Sequence, residues 1–115
     1  MKAKVLIVIT TGGNDPIKVI SGLNLAWKTK KNGTFEDVRV FFYGSSEDFI
    51  AKTNNPEVLE AYEEVLKSGI IIQGCIGFAK KFNVTTKLSD KKITLMSSSA
   101  VIPDLMADGY QVITF

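Results

Sequence analysis

Residues 5–16 read Val5-Leu6-Ile7-Val8-Ile9-Thr10-Thr11-Gly12-Gly13-Asn14-Asp15-Pro16, and this stretch decides the fold. The first five residues are continuously apolar and mostly β-branched, which is typical of a strand buried on both faces, as in a parallel sheet. The glycines end the strand, Asp15 can cap a following helix, and Pro16 suits the first helical position. The stretch therefore predicts a strand, a loop and a helix.

Strand and helix patterns alternate along the remaining sequence. Apolar runs predict strands at 38–43, 70–72, 93–96 and 110–115, with helices at 16–32, 47–52, 56–67 and 76–82 and a last one reaching Ala107. Ile17, Ile20, Leu23 and Trp27 form the predicted apolar stripe of the first helix, and Pro103 lies near the start of the last. The pattern predicts a single α/β domain over residues 1–115, three layers thick, with a five-stranded, mainly parallel sheet between helices.

Two features of the composition limit the chemistry. The chain contains no histidine and a single cysteine, Cys75. The first excludes Ser-His and Cys-His catalytic pairs and imidazole metal ligands, and the second excludes an internal disulfide and a Cys-x-x-Cys site. What remains is a thiolate nucleophile, with carboxylates, lysines and backbone amides. No metal and no cofactor is predicted.

Charge and hydropathy predict neither a nucleic-acid partner nor a membrane partner. The net charge of the 115 residues is +2, and basic residues alternate with acidic ones, so no basic footprint forms. The apolar runs are of strand length, too short to span a bilayer. Because paired cysteines are absent, we expect a reducing compartment and a cytoplasmic protein.

Cys75 falls between an apolar strand and a short helix. Right-handed connections bring the strand-to-helix loops to one edge of a parallel sheet, where ligands gather. Amides at the helix start would stabilise the thiolate, Lys80 and Lys81 would add positive potential, and Gly74 allows close backbone approach. An accessible, acidic thiol is predicted. A lone cysteine is also often a small buried hydrophobe, and this alternative stays open.

The other loops at this edge offer a second candidate site. Thr11, Gly12 and Gly13 follow the first strand as glycines do in phosphate-binding turns, and Gly44 and Ser98 occupy later loops. Neither G-x-G-x-x-G nor a P-loop motif is present, so ordinary turns explain the pattern equally. A small-molecule or anion-binding module without thiol chemistry is therefore the alternative function, and a structural subunit is the third.

Several segments, taken in order, carry a family resemblance. They are Lys4–Ile9 with the turn ending at Pro16, Gly22–Ala26, Val38–Gly44, Ser68–Cys75, Ser97–Ala100 and Val112–Phe115. Together they span nearly the whole chain and resemble the DsrE/DsrF-like family, which includes the sulfur-relay subunits of the Tus system, TusD-like proteins among them.

The resemblance implies a role for Cys75. In the family a cysteine at this junction receives sulfane sulfur as a persulfide and passes it on, between donor and acceptor proteins. Many relatives carry a second cysteine three residues later, where this chain has Phe78. Many also end the short helix with Arg-Gly-Ile, where this chain has Phe82-Asn83-Val84, and Asn83 can adopt the left-handed conformation that glycine takes.

The resemblance also implies a homo-oligomer, a trimer or a hexamer. The aromatic content supports this expectation, because aromatic side chains beyond the needs of one core are enriched at subunit contacts. The large aromatic residues in question are Trp27, Phe35, Phe41, Phe42, Phe49, Phe78 and Phe82. Phe78 and Phe82 are expected to share a face of the short helix, so that the thiolate lies in a cleft between subunits.

Overall fold

The computed structural model describes residues 2–115. Its strands are β1 (Lys4–Ile9), β2 (Asp37–Phe42), β3 (Ile71–Cys75), β4 (Thr94–Met96) and β5 (Tyr110–Thr114). Its helices are α1 (Pro16–Asn32), α2 (Ser45–Lys52), α3 (Pro56–Lys67), α4 (Ile76–Lys81), α5 (Thr85–Asp90) and α6 (Ser98–Ala107). The predicted α/β class and the five strands are confirmed.

The five strands form one sheet in the order β4-β3-β2-β1-β5, and every strand pair is parallel. From β1 to β4 the chain steps in one direction across the sheet, and β5 then pairs with the other side of β1. Right-handed crossovers place the connecting helices of the first three steps on one face and the last helix, α6, on the opposite face. The carboxyl ends of all strands share one edge.

Two cores of unequal size flank the sheet. The larger contains Ile7, Val40 and Ile72 from the strands and draws side chains from α1 to α5. The smaller contains Leu6, Val8, Phe41 and Cys75 from the opposite faces of β1, β2 and β3, with Leu105 of α6. The predicted three layers are present, and the layer on the Cys75 side consists of α6.

Helix ends follow the local sequence. Asp15 caps α1 by accepting the amide of Lys18 at 3.2 Å, and Gly33 ends the helix at φ 64°. Asn55 caps α3 in the same manner. Asn83 follows α4 at φ 58°, which confirms the prediction that this asparagine takes the left-handed conformation.

The apolar face of α1 differs from the predicted stripe. Ile17 is 74% exposed, whereas Val19, Leu23 and Ala26 are buried. The helix presents Gly22 to the core, where a Cβ atom would lie 3.1 Å from the Phe115 ring. Of the predicted stripe, Leu23 is buried and Ile20 and Trp27 pack against the larger core, so the prediction was wrong only at Ile17. The packed face also contains Gly22, whose lack of a side chain admits the close contact.

Two further predictions need correction near the carboxyl-terminal half. Helix α5 was not predicted, because its six residues bury one side chain, Leu88, and so carry no periodic signal. Helix α6 begins at Ser98, which leaves Pro103 in its interior and not near its start. Proline lacks the amide that would bond to the carbonyl of Ser99. That residue is exposed, so water can solvate its carbonyl.

The aromatic residues belong to the cores of the chain itself. Phe41 and Phe42 are fully buried. The other members of the predicted excess, namely Trp27, Phe35, Phe49, Phe78 and Phe82, are partly buried and pack against one of the two cores. Both cores thus use these side chains, and the expectation that some of them also lie at subunit contacts stays a prediction. The large exposed hydrophobic side chains are instead aliphatic, as at Ile71 and Met96.

Candidate functional site

Cys75 is the last residue of β3 and the N-cap of α4. The alternation of side chains along β3 turns it to the face that α6 covers, where it packs in the smaller core. The residue is 7% exposed. The prediction of an accessible thiol is therefore wrong for the folded chain, since strand ends and helix starts surround the sulfur.

Hydrogen-bonding groups surround the sulfur. The Cys75 thiol donates to Ser98 Oγ, at the first residue of α6, across 3.4 Å, and the same hydroxyl can donate to the sulfur once the thiol has ionised. The amides of Phe78, Gly77 and Ser98 also act on the sulfur. Burial raises the pKa of the Cys75 thiol, but the Ser98 hydroxyl and these amides outweigh it, so the pKa is lowered from its ordinary value. The acidity predicted for this cysteine agrees with that direction.

The lysines predicted to assist the thiolate have no part in this effect. Lys80 and Lys81 are exposed on α4, and neither contributes to the lowered pKa of Cys75. The thiolate is favoured by neutral donors that the backbone fixes in place. Such donors keep their orientation whether or not the sulfur is charged, unlike a flexible ammonium group.

Aromatic side chains flank the site. The rings of Tyr43 and Phe78 meet edge to face with their centroids 5.3 Å apart, and Phe78 stacks on Phe82 at 6.3 Å. Phe78 and Phe82 thus share a face of the short helix, as predicted. The packing holds α4 against the turn after β2.

Glu47 lies beneath the same strand end and was not predicted as a site residue. Its side chain is fully buried, and its Oε2 accepts the amide of Gly44 at 3.1 Å. A Cβ atom at Gly74 would lie 3.5 Å from its Oε1, which has no hydrogen-bond partner. Burial raises the pKa of Glu47 to about 7, although the amides of Gly44 and Cys75 favour the carboxylate. An acid three residues after an N-cap is the sequence signal that could have found it.

Gln73 is a second polar residue near Cys75 that was not predicted as a site residue. It shares the Cys75 face of β3, is 9% exposed, and its Oε1 has no hydrogen-bond partner. A glutamine inside an otherwise apolar strand is the signal for it. Buried amides are rarely left without partners.

The glycine-rich loop forms a separate site. Gly12 and Gly13 line a cavity of about 470 Å³ together with Ser45, Phe49 and Lys52. The residues predicted to share a pocket therefore do not line the same one. Ser98 contacts Cys75, and Thr11 lies outside this lining. Gly44 is the N-cap of α2, with φ 79°, a conformation that glycine adopts without strain. Gly74 belongs to the Cys75 site.

Residues 2–115 contain neither a metal-binding cluster nor a membrane-spanning helix. Within that range no group of three or more acidic or cysteine side chains could hold a metal ion. None of the helices described there is both long and apolar enough to cross a bilayer.

The comparison with family models matches residues 3–115 to the DsrE/DsrF-like family. The chain belongs to the DsrE/DsrF-like family. The family match covers the strands, the glycine-rich loop and the Cys75 junction, and it confirms the resemblance seen in the sequence.

Solved structures share the fold of this DsrE/DsrF-like chain. A conserved protein of unknown function, BT1422 from Bacteroides thetaiotaomicron, matches with a TM-score of 0.79 at 21% identity, over 96% of this chain and 94% of its own. The ychN protein from E. coli matches with a TM-score of 0.75 at 13% identity, over 98% and 99%. Comparison with curated proteins finds no match.

Proposed function

We propose that this DsrE/DsrF-like protein carries sulfane sulfur as a persulfide on Cys75. The observation that supports the proposal is the set of groups around its sulfur that favour the thiolate: the Ser98 hydroxyl, which accepts from the thiol and can donate to the thiolate, and the amides of Gly77, Phe78 and Ser98. Two helices, α4 and α6, begin beside the same atom. A thiol that only filled the core would need none of these groups around it, because a neutral S–H forms only weak hydrogen bonds.

The chemistry follows from a stabilised thiolate. The Cys75 thiolate attacks the outer sulfur of a donor persulfide, R–S–SH. A sulfur–sulfur bond to Cys75 forms, the donor's bond breaks, and the donor leaves as the thiolate R–S⁻ while the proton stays with the transferred sulfur. An acceptor thiolate then attacks that outer sulfur, and Cys75 leaves. The donors that lower its pKa also make it a better leaving group.

The proposal includes partners and a compartment. Donor and acceptor are thiol-bearing proteins or small persulfides, and the exchange takes place in the cytoplasm, where a single unpaired cysteine stays reduced. Neither histidine nor a metal is needed, because thiol exchange requires no strong base on the same chain.

Intact mass spectrometry tests the proposal. After incubation with inorganic polysulfide, we expect the protein to gain one sulfur, about 32 mass units, which dithiothreitol removes. The variant Cys75→Ser should keep the fold, because serine replaces the thiol by a group of similar size, and should gain nothing. Addition to the serine variant, or none to the native protein, contradicts the proposal.

The glycine-loop cavity supports a second candidate function. Its lining combines the Gly12 and Gly13 backbone with the Ser45 hydroxyl and the Lys52 ammonium, groups that suit a small anion. Asp48 belongs to the same lining and pairs with Lys52 at 2.6 Å, so an anion would have to displace that carboxylate. Thermal unfolding with and without inorganic phosphate tests it. A phosphate-dependent rise in melting temperature that Lys52→Ala abolishes favours the binding module. An unchanged melting temperature contradicts anion binding in this cavity.

A further inference from the structure

Helix α6 covers Cys75 on its side of the sheet. The helix connects β4 with β5, which are the two outermost strands, so the chain crosses the whole face of the sheet between them. The crossing passes over the smaller core, in which Leu6, Phe41 and Cys75 pack with Leu105 of α6. Because the layer on this face consists of α6, the position of that helix controls access to Cys75, which is 7% exposed.

The first half of α6, residues 98–102, is held loosely. Its apolar side chains Val101 and Ile102 pack against the smaller core but remain partly exposed. Within residues 2–115, one side-chain hydrogen bond joins this half to the sheet, and it is the contact between Ser98 and Cys75. A segment that buries so little apolar surface can open locally without unfolding of the whole chain.

The second half of the same helix is anchored. Leu105 is the buried side chain of α6, and Asp108, which caps the helix, pairs with Lys4 at 3.2 Å. Pro103 lies between the two halves and leaves the carbonyl of Ser99 without its helical partner. Because a proline is where helices bend, the first half can move while the second half stays in place.

We propose that residues 98–102 form a lid over Cys75, hinged at Pro103, and that the lid opens to admit sulfur donors and acceptors. This inference rests on the proposed function, in which a second thiol must reach the sulfur of Cys75. In the closed position the Ser98 hydroxyl lies against that sulfur and favours the thiolate. In the open position a gap forms between the first turns of α4 and α6, beside Gly77. The closed lid shields the sulfur from other thiols between transfers.

The rate of Cys75 alkylation by iodoacetamide at about pH 9.5 tests the lid, because a thiol is largely ionised at this pH and the rate then reports access. Ile102→Ala removes an apolar contact of the lid, and we expect alkylation to become about tenfold faster. The matched control is Ile20→Ala. It shortens an isoleucine that is also partly buried but packs on the larger core, on the other face of the sheet. Equal rates in the two folded variants overturn the proposal.

Pro103→Ala should act in the opposite direction. Alanine supplies the amide that bonds to the Ser99 carbonyl and so ties the two halves of α6 together, and we expect alkylation to become about fivefold slower. The amide of Val101 bonds to the Ser97 carbonyl at 3.0 Å, and its hydrogen exchange should slow by a similar factor. The Leu23 amide of α1 should exchange as before. If alkylation and Val101 exchange do not slow together, the proposal is overturned.

Hydrogen exchange in the native protein covers the case in which the variants do not fold. The amides of Val101 and Ile102 should exchange faster than the amide of Leu105, because only the first half of the helix opens. Equal protection of the two halves overturns the proposal. None of these readouts involves sulfur transfer, so a lid over a thiol that gains no sulfur would refute the carrier function alone.

Discussion

At the scale of single residues, the Cys75 thiol owes its properties to three neighbours and to no charged group. Ser98 supplies a hydroxyl at 3.4 Å, and the amides of Gly77 and Phe78, in the first turn of α4, also lower the pKa of the thiol. Each donor favours the thiolate more than the thiol, because hydrogen bonds to a charged acceptor are the stronger ones.

Removal of the Ser98 hydroxyl should raise the pKa of Cys75. We expect the native alkylation profile to show an inflection below about 8.5, the value for a free thiol. Ser98→Ala should move it upward by about one pH unit, since a hydrogen bond to a charged group contributes about 1.5–3 kcal/mol. Ser99→Ala is the matched control, because that hydroxyl pairs with Ser97. Equal inflections in the two variants would show that Ser98 is only a packing neighbour.

The size of residue 77 should control access to the sulfur. Gly77 is exposed, and a Cβ atom on it would lie 3.8 Å from Cys75 Sγ, an ordinary contact distance. Gly77→Leu should therefore slow alkylation, about tenfold for each 1.4 kcal/mol added to the barrier, while Gly77→Ala stays near the native rate. Stopped-flow measurement at fixed pH compares the series. A leucine variant as fast as the alanine variant would mean that reagents reach the sulfur by another route.

At the scale of helices and strands, the carboxyl-terminal end of α4 shows how local sequence determines the site. Asn83 takes φ 58°, and the bonds from its amide to Lys80 and from the Val84 amide to Ala79 close the helix. The left-handed conformation costs most residues about 1–2 kcal/mol, and glycine and asparagine much less. The turn ends α4 after a few residues, and the first amides of this short helix lie beside Cys75.

Asn83→Ala should destabilise the protein through this turn. We expect the free energy of unfolding to fall by about 1 kcal/mol, measured by urea denaturation, and Asn83→Gly to stay within about 0.5 kcal/mol of the native value. The control Lys81→Ala changes an exposed helical position and should have little effect. An alanine variant as stable as the glycine variant would contradict the strain at this position.

The elements that the sequence could predict are those with a strong local signal. Buried strands such as β1 and capped helix starts such as Asp15-Pro16 require only neighbours in the sequence. The same holds for the placement of Cys75 at a strand-to-helix junction. Helix α5 could not be found, because one buried side chain in six residues has no period. Ser98 was predicted at the same sheet edge, but its contact with Cys75 could not be, because that contact depends on strand order, which a single sequence does not determine.

At the scale of the whole molecule, the burial of Glu47 should make stability depend on pH. Its pKa in the folded protein is about 7, above the value of about 4.3 in an unfolded chain. The folded state therefore binds more protons between these values. The contribution of Glu47 to the free energy of unfolding is complete below about pH 4 and is lost as the pH rises through 7.

Urea denaturation at pH 5 and pH 8 measures this dependence. We expect the native protein to lose about 2 kcal/mol between the two, and Glu47→Gln to lose clearly less, because it has no proton to give up. Glu57→Gln, which alters an exposed acid, should behave like the native protein. If the native protein and Glu47→Gln lose the same amount, the pH dependence comes from other groups.

The open part of the sheet face beside Cys75 is where we propose that copies of the chain meet. Helix α6 covers the side chains of β1 and β2 on this face, but Ile71 is 47% exposed and Met96, the strand partner of Cys75, is 38% exposed. Gln73 between them has an amide oxygen without a partner. Assembly would bury the aliphatic side chains and offer that amide a donor, as at other subunit interfaces.

Light scattering after gel filtration at micromolar concentration tests the assembly. We expect a trimer or a hexamer, because that is the state implied by the sequence resemblance, and we expect Ile71→Lys with Met96→Lys to give a monomer, since buried unpaired charges are costly. Ile17→Lys alters an aliphatic residue that is 74% exposed on α1 and should leave the assembly intact.

If the interface covers Cys75, alkylation should be faster in the double variant than in the Ile17 control. A native protein that elutes as a monomer contradicts the assembly, and equal alkylation rates in a dissociated double variant place the subunit contact away from the thiol.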